Sequence, residues 1–108
     1  MAHNYIKVST ALENREGAQK IATMVVEKRL AACAQIVGPI TSTYWWKGKI
    51  EETEEWLCII KSRVDMYNKL EWAIKDIHPY EEPEIVAESI ITGSKGYLKW
   101  LDEEVQSG

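Results

Sequence analysis

The 108-residue chain contains no phenylalanine, only two cysteines and three prolines, and no long hydrophobic segment. No apolar run approaches the roughly 20 residues that a membrane-spanning helix needs, so we expect no membrane partner. The chain also has no internal repeat, low-complexity tract or linker rich in proline, glycine and serine. Its 45% hydrophobic and 28% charged residues are typical of a globular protein, and we expect one domain over residues 1–108.

A basic stripe is also missing. The formal net charge is −4, whereas nucleic-acid binders usually carry a basic footprint, so we expect no nucleic-acid partner. The acidic residues form runs within residues 51–55, 81–84 and 102–104. Each run fits a solvated face, and together they mildly favour cationic over anionic partners.

Two further features favour a cytoplasmic location. The first residues lead directly into Tyr5-Ile6-Lys7-Val8 without the hydrophobic segment of a signal peptide. Without a secretion signal, Cys33 and Cys58 fit two reduced thiols better than one disulfide.

Hydrophobic periodicity predicts the element order β-α-β-β-α-β with one more helix at the end. The predicted strands are residues 5–11, 33–46 with an interruption at Gly38-Pro39, 50–62 and 85–91. The first predicted helix opens over Glu13-Asn14-Arg15-Glu16, with Asn14 as the candidate cap, and ends near Leu30-Ala31. The second runs from Val64 to His78, and the third is capped by Ser94. This order predicts an α+β protein with a ferredoxin-like βαββαβ sandwich. We expect the acidic run 51–55, beside a hairpin turn at 47–49, to lie outside the main core.

Four of the ten tryptophans and tyrosines lie where the predicted sheet needs a cover. Tyr44, Trp45, Trp46 and Trp56 lie on the two hairpin strands and give more apolar surface than solvent tolerates. The last helix could cover this surface, or single rings could fill the core. Because the last helix is too short to cover this surface, we expect a second copy of the chain to cover it, and we favour oligomerisation.

Four segments together resemble the CutA family. They are Glu-Lys-Arg-Leu-Ala-Ala-Cys-Ala at 27–34, Ser-Thr-Tyr-Trp-Trp-Lys-Gly-Lys-Ile-Glu at 42–51, His-Pro-Tyr-Glu-Glu-Pro-Glu at 78–84, and Tyr-Leu-Lys-Trp-Leu at 97–101. Any one segment is weak evidence, but their order and spacing extend the resemblance over nearly the whole chain.

The resemblance implies a ferredoxin-like protomer in a homotrimer similar to the PII signalling proteins, with the central hairpin reaching a neighbour. It also implies a role in tolerance of, or response to, divalent metal ions, above all copper. No catalytic reaction comes with it. The sequence has no glycine-rich phosphate loop, no paired cysteines spaced for zinc and no nucleophile motif, so we expect no enzyme and no organic cofactor.

The candidate metal ligands are His78, Glu81 and Cys33. His78 lies at a predicted helix end beside Tyr80 and Glu81, and imidazole is a normal ligand for Cu(II) and Zn. A histidine at a helix C-terminus also interacts favourably with the helix dipole and needs no metal for that. Cys33 offers a soft ligand, although a free cysteine is commonly a small buried hydrophobe.

Two departures from the copper-linked relatives predict that Cu(II) or another divalent ion binds weakly. Ser9 stands where those relatives have a thiol, and Ile77-His78 stands where they have a histidine pair. A separate copper site is the N-terminal Met1-Ala2-His3, whose amine, amides and imidazole suit square-planar Cu(II).

A second kind of site follows from family-like packing. Clefts between protomers would be lined by Tyr44, Trp46, Lys61, His78 and Tyr80, and aromatic walls with a few polar groups are typical of ligand sites. The alternatives to a metal-response protein are therefore a PII-like sensor of a small anionic ligand paired with Lys61, or a trimeric scaffold for protein partners. Lys61 could equally extend along its own strand.

Overall fold

The computed structural model describes residues 5–107. Its elements are β1 (Tyr5–Leu12), α1 (Arg15–Glu27), β2 (Cys33–Trp46), β3 (Lys49–Arg63), a 3₁₀ turn (Val64–Met66), α2 (Tyr67–Ile77), β4 (Ile85–Ile90) and α3 (Lys95–Glu104). This is the predicted order of strands and helices. Among the described residues, no helix combines the length and apolar character required to cross a membrane.

The four strands form one antiparallel sheet in the order β2-β3-β1-β4. The α+β class predicted from the sequence is therefore confirmed. Strand β3 lies inside the sheet, where its second half pairs with β1 on one side and β2 on the other.

The core lies between one face of this sheet and the helices. Alternate residues of β1, Ile6 and Val8, are buried because side chains of a strand point to opposite faces in turn. They belong to one cluster with residues from the apolar stripes of α1 and α2, namely Ile21, Val25, Leu70 and Ile74. We call the other face of the sheet the open face.

Helix α1 begins as predicted but ends earlier. The side chain of Asn14 caps it by accepting a hydrogen bond from the Gly17 N–H at 2.7 Å. The prediction of an end near Leu30-Ala31 is wrong, because Arg29 adopts a left-handed conformation with φ of 58°. The Leu30 N–H then donates to the Val25 carbonyl at 3.0 Å, which turns Leu30 back into the core and explains why the apolar stripe outlasts the helix.

Strands β2 and β3 form a long hairpin. Its turn is Lys47-Gly48, whose φ values of 50° and 80° fit a two-residue type I′ turn. A bulge between Val37 and Ile40 interrupts the pairing at the predicted position. Near the turn the hairpin exposes two facing apolar residues, Trp45 at 72% and Ile50 at 63% of their surface.

Helix α3 is fastened at the opposite end of the molecule. Arg63, only 5% exposed, donates hydrogen bonds to the Gln106 carbonyl at 2.7 Å and to the Asp102 carbonyl at 3.2 Å. The Tyr5 hydroxyl donates to the Asp102 carboxylate at 2.8 Å. These bonds hold α3 at the Tyr5 end of the sheet, away from the hairpin turn.

Candidate functional site

A cavity of about 750 Å³ lies between the hairpin and the loop that joins α2 to β4. Its aromatic wall consists of Tyr44 and Trp46 from β2 and Tyr80 from the loop. Tyr44 and Trp46 share a face because they are two residues apart on a strand. Helix α2 ends at Ile77, before the His78-Pro79 pair, and this end places Tyr80 opposite the hairpin. We call this cavity the hairpin pocket.

The polar lining of the hairpin pocket is mainly carboxylate. Glu81, Glu82 and Glu84 come from the loop, and Glu55 comes from β3. Four of the predicted site residues therefore meet at this pocket: Tyr44, Trp46, Tyr80 and Glu81. Glu55 is a functional candidate that the sequence reasoning did not select.

Glu55 is only 7% exposed, although it is not part of the main hydrophobic core, in line with the prediction for the run 51–55. Its Oε2 accepts a hydrogen bond from the Tyr80 hydroxyl at 2.7 Å. Burial, and then this bond to a carboxylate, raise the pKa of Tyr80 above its ordinary value. The strand period gives no signal for this burial, because Glu55 shares a face of β3 with the half-buried Leu57 and Ile59 and not with the core residues Cys58 and Ile60.

His78 lies directly behind the pocket wall. Its Nδ1 accepts from the backbone N–H of Tyr80 at 3.2 Å, and its Nε2 lies 3.0 Å from the Ala11 carbonyl oxygen. An amide N–H only donates and a carbonyl only accepts, which assigns the neutral tautomer with the proton on Nε2. Burial lowers the pKa of His78 below its ordinary value of 6.5, consistent with a neutral ring.

This arrangement makes His78 a positioning residue for Tyr80. The two rings meet edge to face with their centres 4.8 Å apart. Both ring nitrogens are already engaged, so neither has a free lone pair to offer a metal ion without breaking a hydrogen bond.

Cys33 and Lys61 lie elsewhere. They are direct partners in the β2–β3 ladder, whereas Tyr44 is paired with Glu51, ten positions and roughly 30 Å earlier along β3. The Lys61 ammonium lies 5.7 Å from the centre of the Tyr97 ring. Lys61 therefore does not join the hairpin pocket within one protomer, and its place in a cleft between protomers stays a prediction.

The three predicted metal ligands do not converge. Within residues 5–107 there is no group of three histidine, cysteine or acidic side chains arranged to hold a metal ion. His78, Cys33 and Glu81 therefore do not fit a single preformed metal centre. The copper site predicted at Met1-Ala2-His3 lies outside the described residues.

The pocket already holds a cation at its rim. The Lys47 ammonium lies 3.6 Å from Glu81 Oε1 and 5.5 Å from the centre of the Trp46 ring. With four carboxylates and aromatic walls, the pocket attracts positive charge and disfavours an anionic ligand.

Comparison with known proteins gives a consistent result. The family described as CutA1 divalent ion tolerance protein matches residues 6–104. The chain is 43% identical over 96 residues to the divalent-cation tolerance protein CutA of Thermus thermophilus, covering 89% of this chain and 93% of that protein. It is also 43% identical over 94 residues to Protein CutA of Mus musculus, covering 87% of this chain but only 53% of the mouse protein, about half its length.

Solved structures agree with the sequence comparison. CutA1 from Oryza sativa superposes with a TM-score of 0.95 at 35% identity, covering 98% of this chain and 97% of that one. The divalent cation tolerance protein of Thermus thermophilus superposes with a TM-score of 0.91 at 40% identity, covering 94% and 99%.

Proposed function

Because the chain belongs to the CutA1 divalent ion tolerance family, we propose that it is a non-enzymatic protein of divalent-metal response that acts by binding. The observation that carries this proposal is the hairpin pocket, where four carboxylates from two separate segments line one cavity. Carboxylate oxygens suit hard divalent ions. Since no three ligands converge among the described residues, the ion, Cu(II) or another, is bound weakly and keeps most of its water.

Binding in place of catalysis is supported by the protonation of the nucleophilic groups. Burial raises the pKa of the Cys58 thiol to about 12, and the pKa of the Tyr80 phenol is also raised. Both groups are therefore neutral and weakly nucleophilic near pH 7.

We further propose that the protomer is ferredoxin-like and assembles as a PII-like homotrimer through its hairpin. The sheet order β2-β3-β1-β4 with the βαββαβ sequence of elements supports the fold. Exposed apolar residues on the hairpin support the assembly. The free thiols of Cys33 and Cys58 support a cytoplasmic location, which cell fractionation would test.

The test is a calorimetric titration of the full chain carrying His3→Ala, which removes the imidazole of the N-terminal copper site. We expect Cu(II) and Mn(II) to bind with a dissociation constant of about 10⁻⁴ to 10⁻³ M, at the weak end for oxygen-ligated sites. Glu81→Gln should weaken binding several-fold, whereas Glu54→Gln, an exposed neighbour of Glu55 on the other side of the strand, should not.

His78→Ala should leave this binding unchanged, because both ring nitrogens are occupied. Loss of binding in His78→Ala but not in Glu81→Gln would place the metal at the imidazole and contradict the proposed site. Absence of any binding in the millimolar range would contradict a direct metal role.

A further inference from the structure

Glu55 presents one of its two carboxylate oxygens to the hairpin pocket. It is 93% buried, and its Oε2 accepts from Tyr80, but in the part of the chain that the structure describes Oε1 accepts no hydrogen bond. Oε1 is not one of the buried atoms that lack a partner, so it remains accessible from the pocket, which Glu55 lines. A carboxylate oxygen with free lone pairs accepts a hydrogen bond readily from a charged donor. The salt bridge of the pocket's lysine goes to Glu81 and not to Glu55. The pocket therefore offers a carboxylate oxygen with no hydrogen bond from the described residues to a cationic donor at its inner end.

The rim of the pocket shows what kind of cation fits. Lys47 places a primary ammonium between the Trp46 ring and the Glu81 carboxylate. Both charged side chains are largely exposed, and exposed ion pairs contribute at most about 1 kcal/mol, so this ammonium exchanges easily. Lys47 also has φ of 50° in a turn position that favours asparagine, aspartate or glycine. A lysine at this position supplies an ammonium at the cost of local strain.

The size of the cavity and the spread of its charges favour an extended cation over a single ion. A cavity of about 750 Å³ is far larger than one metal ion, and its carboxylates do not converge in threes. An alkyl chain with several ammonium groups also carries its charges apart from one another, as the carboxylates of the pocket do. Its methylene groups would contact the aromatic wall, and its ammonium groups would pair with separate carboxylates.

We propose that the hairpin pocket binds an aliphatic polyamine. One ammonium group donates to Glu55 Oε1 at the inner end, and a second replaces Lys47 at Trp46 and Glu81. The inference uses the same pocket as the proposed function but names a different ligand class. Lys47 acts as an internal competitor that polyamine binding displaces.

The experiment is a calorimetric titration of the full chain with spermidine, and with MgCl₂ at matched ionic strength as the control for diffuse charge. Glu55→Gln, which keeps the shape and removes the charge, should lower spermidine affinity about tenfold or more. Glu54→Gln removes the same charge from the adjacent, exposed position and should change affinity less than about twofold.

A second variant, Lys47→Asn, should bind spermidine more tightly. The proposal therefore stays testable even if Glu55→Gln does not fold. Lys47→Asn keeps a residue that the type I′ turn favours and removes the competing ammonium. It should tighten spermidine binding about three- to tenfold, whereas Lys49→Gln, the same charge change on the other side of the turn, should have a smaller effect.

Three results would overturn the polyamine proposal: no spermidine binding at millimolar concentration, equal losses in Glu55→Gln and Glu54→Gln, or equal gains in Lys47→Asn and Lys49→Gln. Displacement of spermidine by MgCl₂ at matched ionic strength would also overturn it and leave the metal proposal intact. Spermidine binding without any binding of Cu(II) or Mn(II) would support the polyamine and contradict only the metal proposal.

Discussion

At the scale of single residues, His78 couples the pocket wall to pH. Its neutral ring holds Tyr80 through Nδ1 and β1 through Nε2, and burial lowers its pKa in the folded chain. The unfolded chain therefore binds the proton more tightly than the folded chain, and protonation favours unfolding. This contribution to stability is fully present above the unfolded pKa of about 6.5 and is lost as pH falls below it.

We expect the free energy of unfolding to fall as the pH decreases through and below the unfolded pKa of His78, with a smaller fall in His78→Gln, whose amide does not titrate. Urea unfolding at a series of pH values measures both. His3→Gln, the same exchange at the chain's other histidine, is the matched control. Identical pH dependence in the unmodified protein and His78→Gln would show that other groups cause it.

Single residues also show how far the sequence predicts the site. The matched segments predicted Tyr44, Trp46 and Tyr80 as cleft residues and Glu81 as a metal ligand, and in the structure all four line one pocket of the protomer. The role of Glu55 was not predictable, because its burial depends on a hydrogen bond to Tyr80, 25 residues away. The engagement of both His78 nitrogens depends likewise on a contact with β1 that no local pattern reveals.

At the scale of elements, boundaries depend on details that periodicity does not contain. The strand pattern predicted β1, the hairpin and β4 to within about two residues. In β1 the residues alternate against a buried face, which makes the pattern clear. The end of α1 was misplaced because Arg29 takes a left-handed conformation that is rare for a residue other than glycine. Its neighbour Leu30 is buried either way, so the apolar pattern alone does not distinguish the two endings.

The bulge of β2 gives a prediction about packing. A Cβ atom added to Gly38 would overlap Cδ1 of Trp56 and lie 2.6 Å from its Cγ, and the Trp56 ring packs against the core. Gly38→Ala should therefore force Trp56 to shift and lower the free energy of unfolding by about 1–3 kcal/mol. Urea denaturation followed by tryptophan fluorescence measures this change.

Gly96→Ala is the matched control for that substitution. Gly96 lies in α3 and has no atom within 4 Å of its added Cβ, so the same exchange should be neutral or stabilise by up to about 1 kcal/mol. Opposite signs for the two variants are the expected result. An equally small effect of both would mean that the bulge adjusts to a methyl group without cost.

At the scale of the whole molecule, one protomer leaves much of its apolar surface uncovered. Helices α1 and α2 cover one face of the sheet, while α3 is fastened at the Tyr5 end and does not reach the hairpin turn. On the hairpin, Trp45 faces Ile50 and both are mostly exposed. Such a pair is what a subunit interface would bury, as the tryptophan-rich sequence already indicated.

If the trimer assembles through the hairpin as proposed, the facing residues Trp45 and Ile50 determine the strength of association. Ile50→Lys places a charge opposite Trp45 and should weaken association by about 2 kcal/mol or more while leaving the helical core folded. Trp72→Lys makes the same kind of change at a residue of α2 that is 69% exposed, and should leave the trimer intact. Sedimentation velocity over a dilution series measures the association of the two variants, and circular dichroism shows whether each is folded.

Two outcomes would contradict the proposed interface. If the unsubstituted protein sediments as a monomer at about 10 µM, the trimer is contradicted, since a stable interface of standard size persists well below that concentration. Dissociation caused by Trp72→Lys and not by Ile50→Lys would instead move the interface to the helical face.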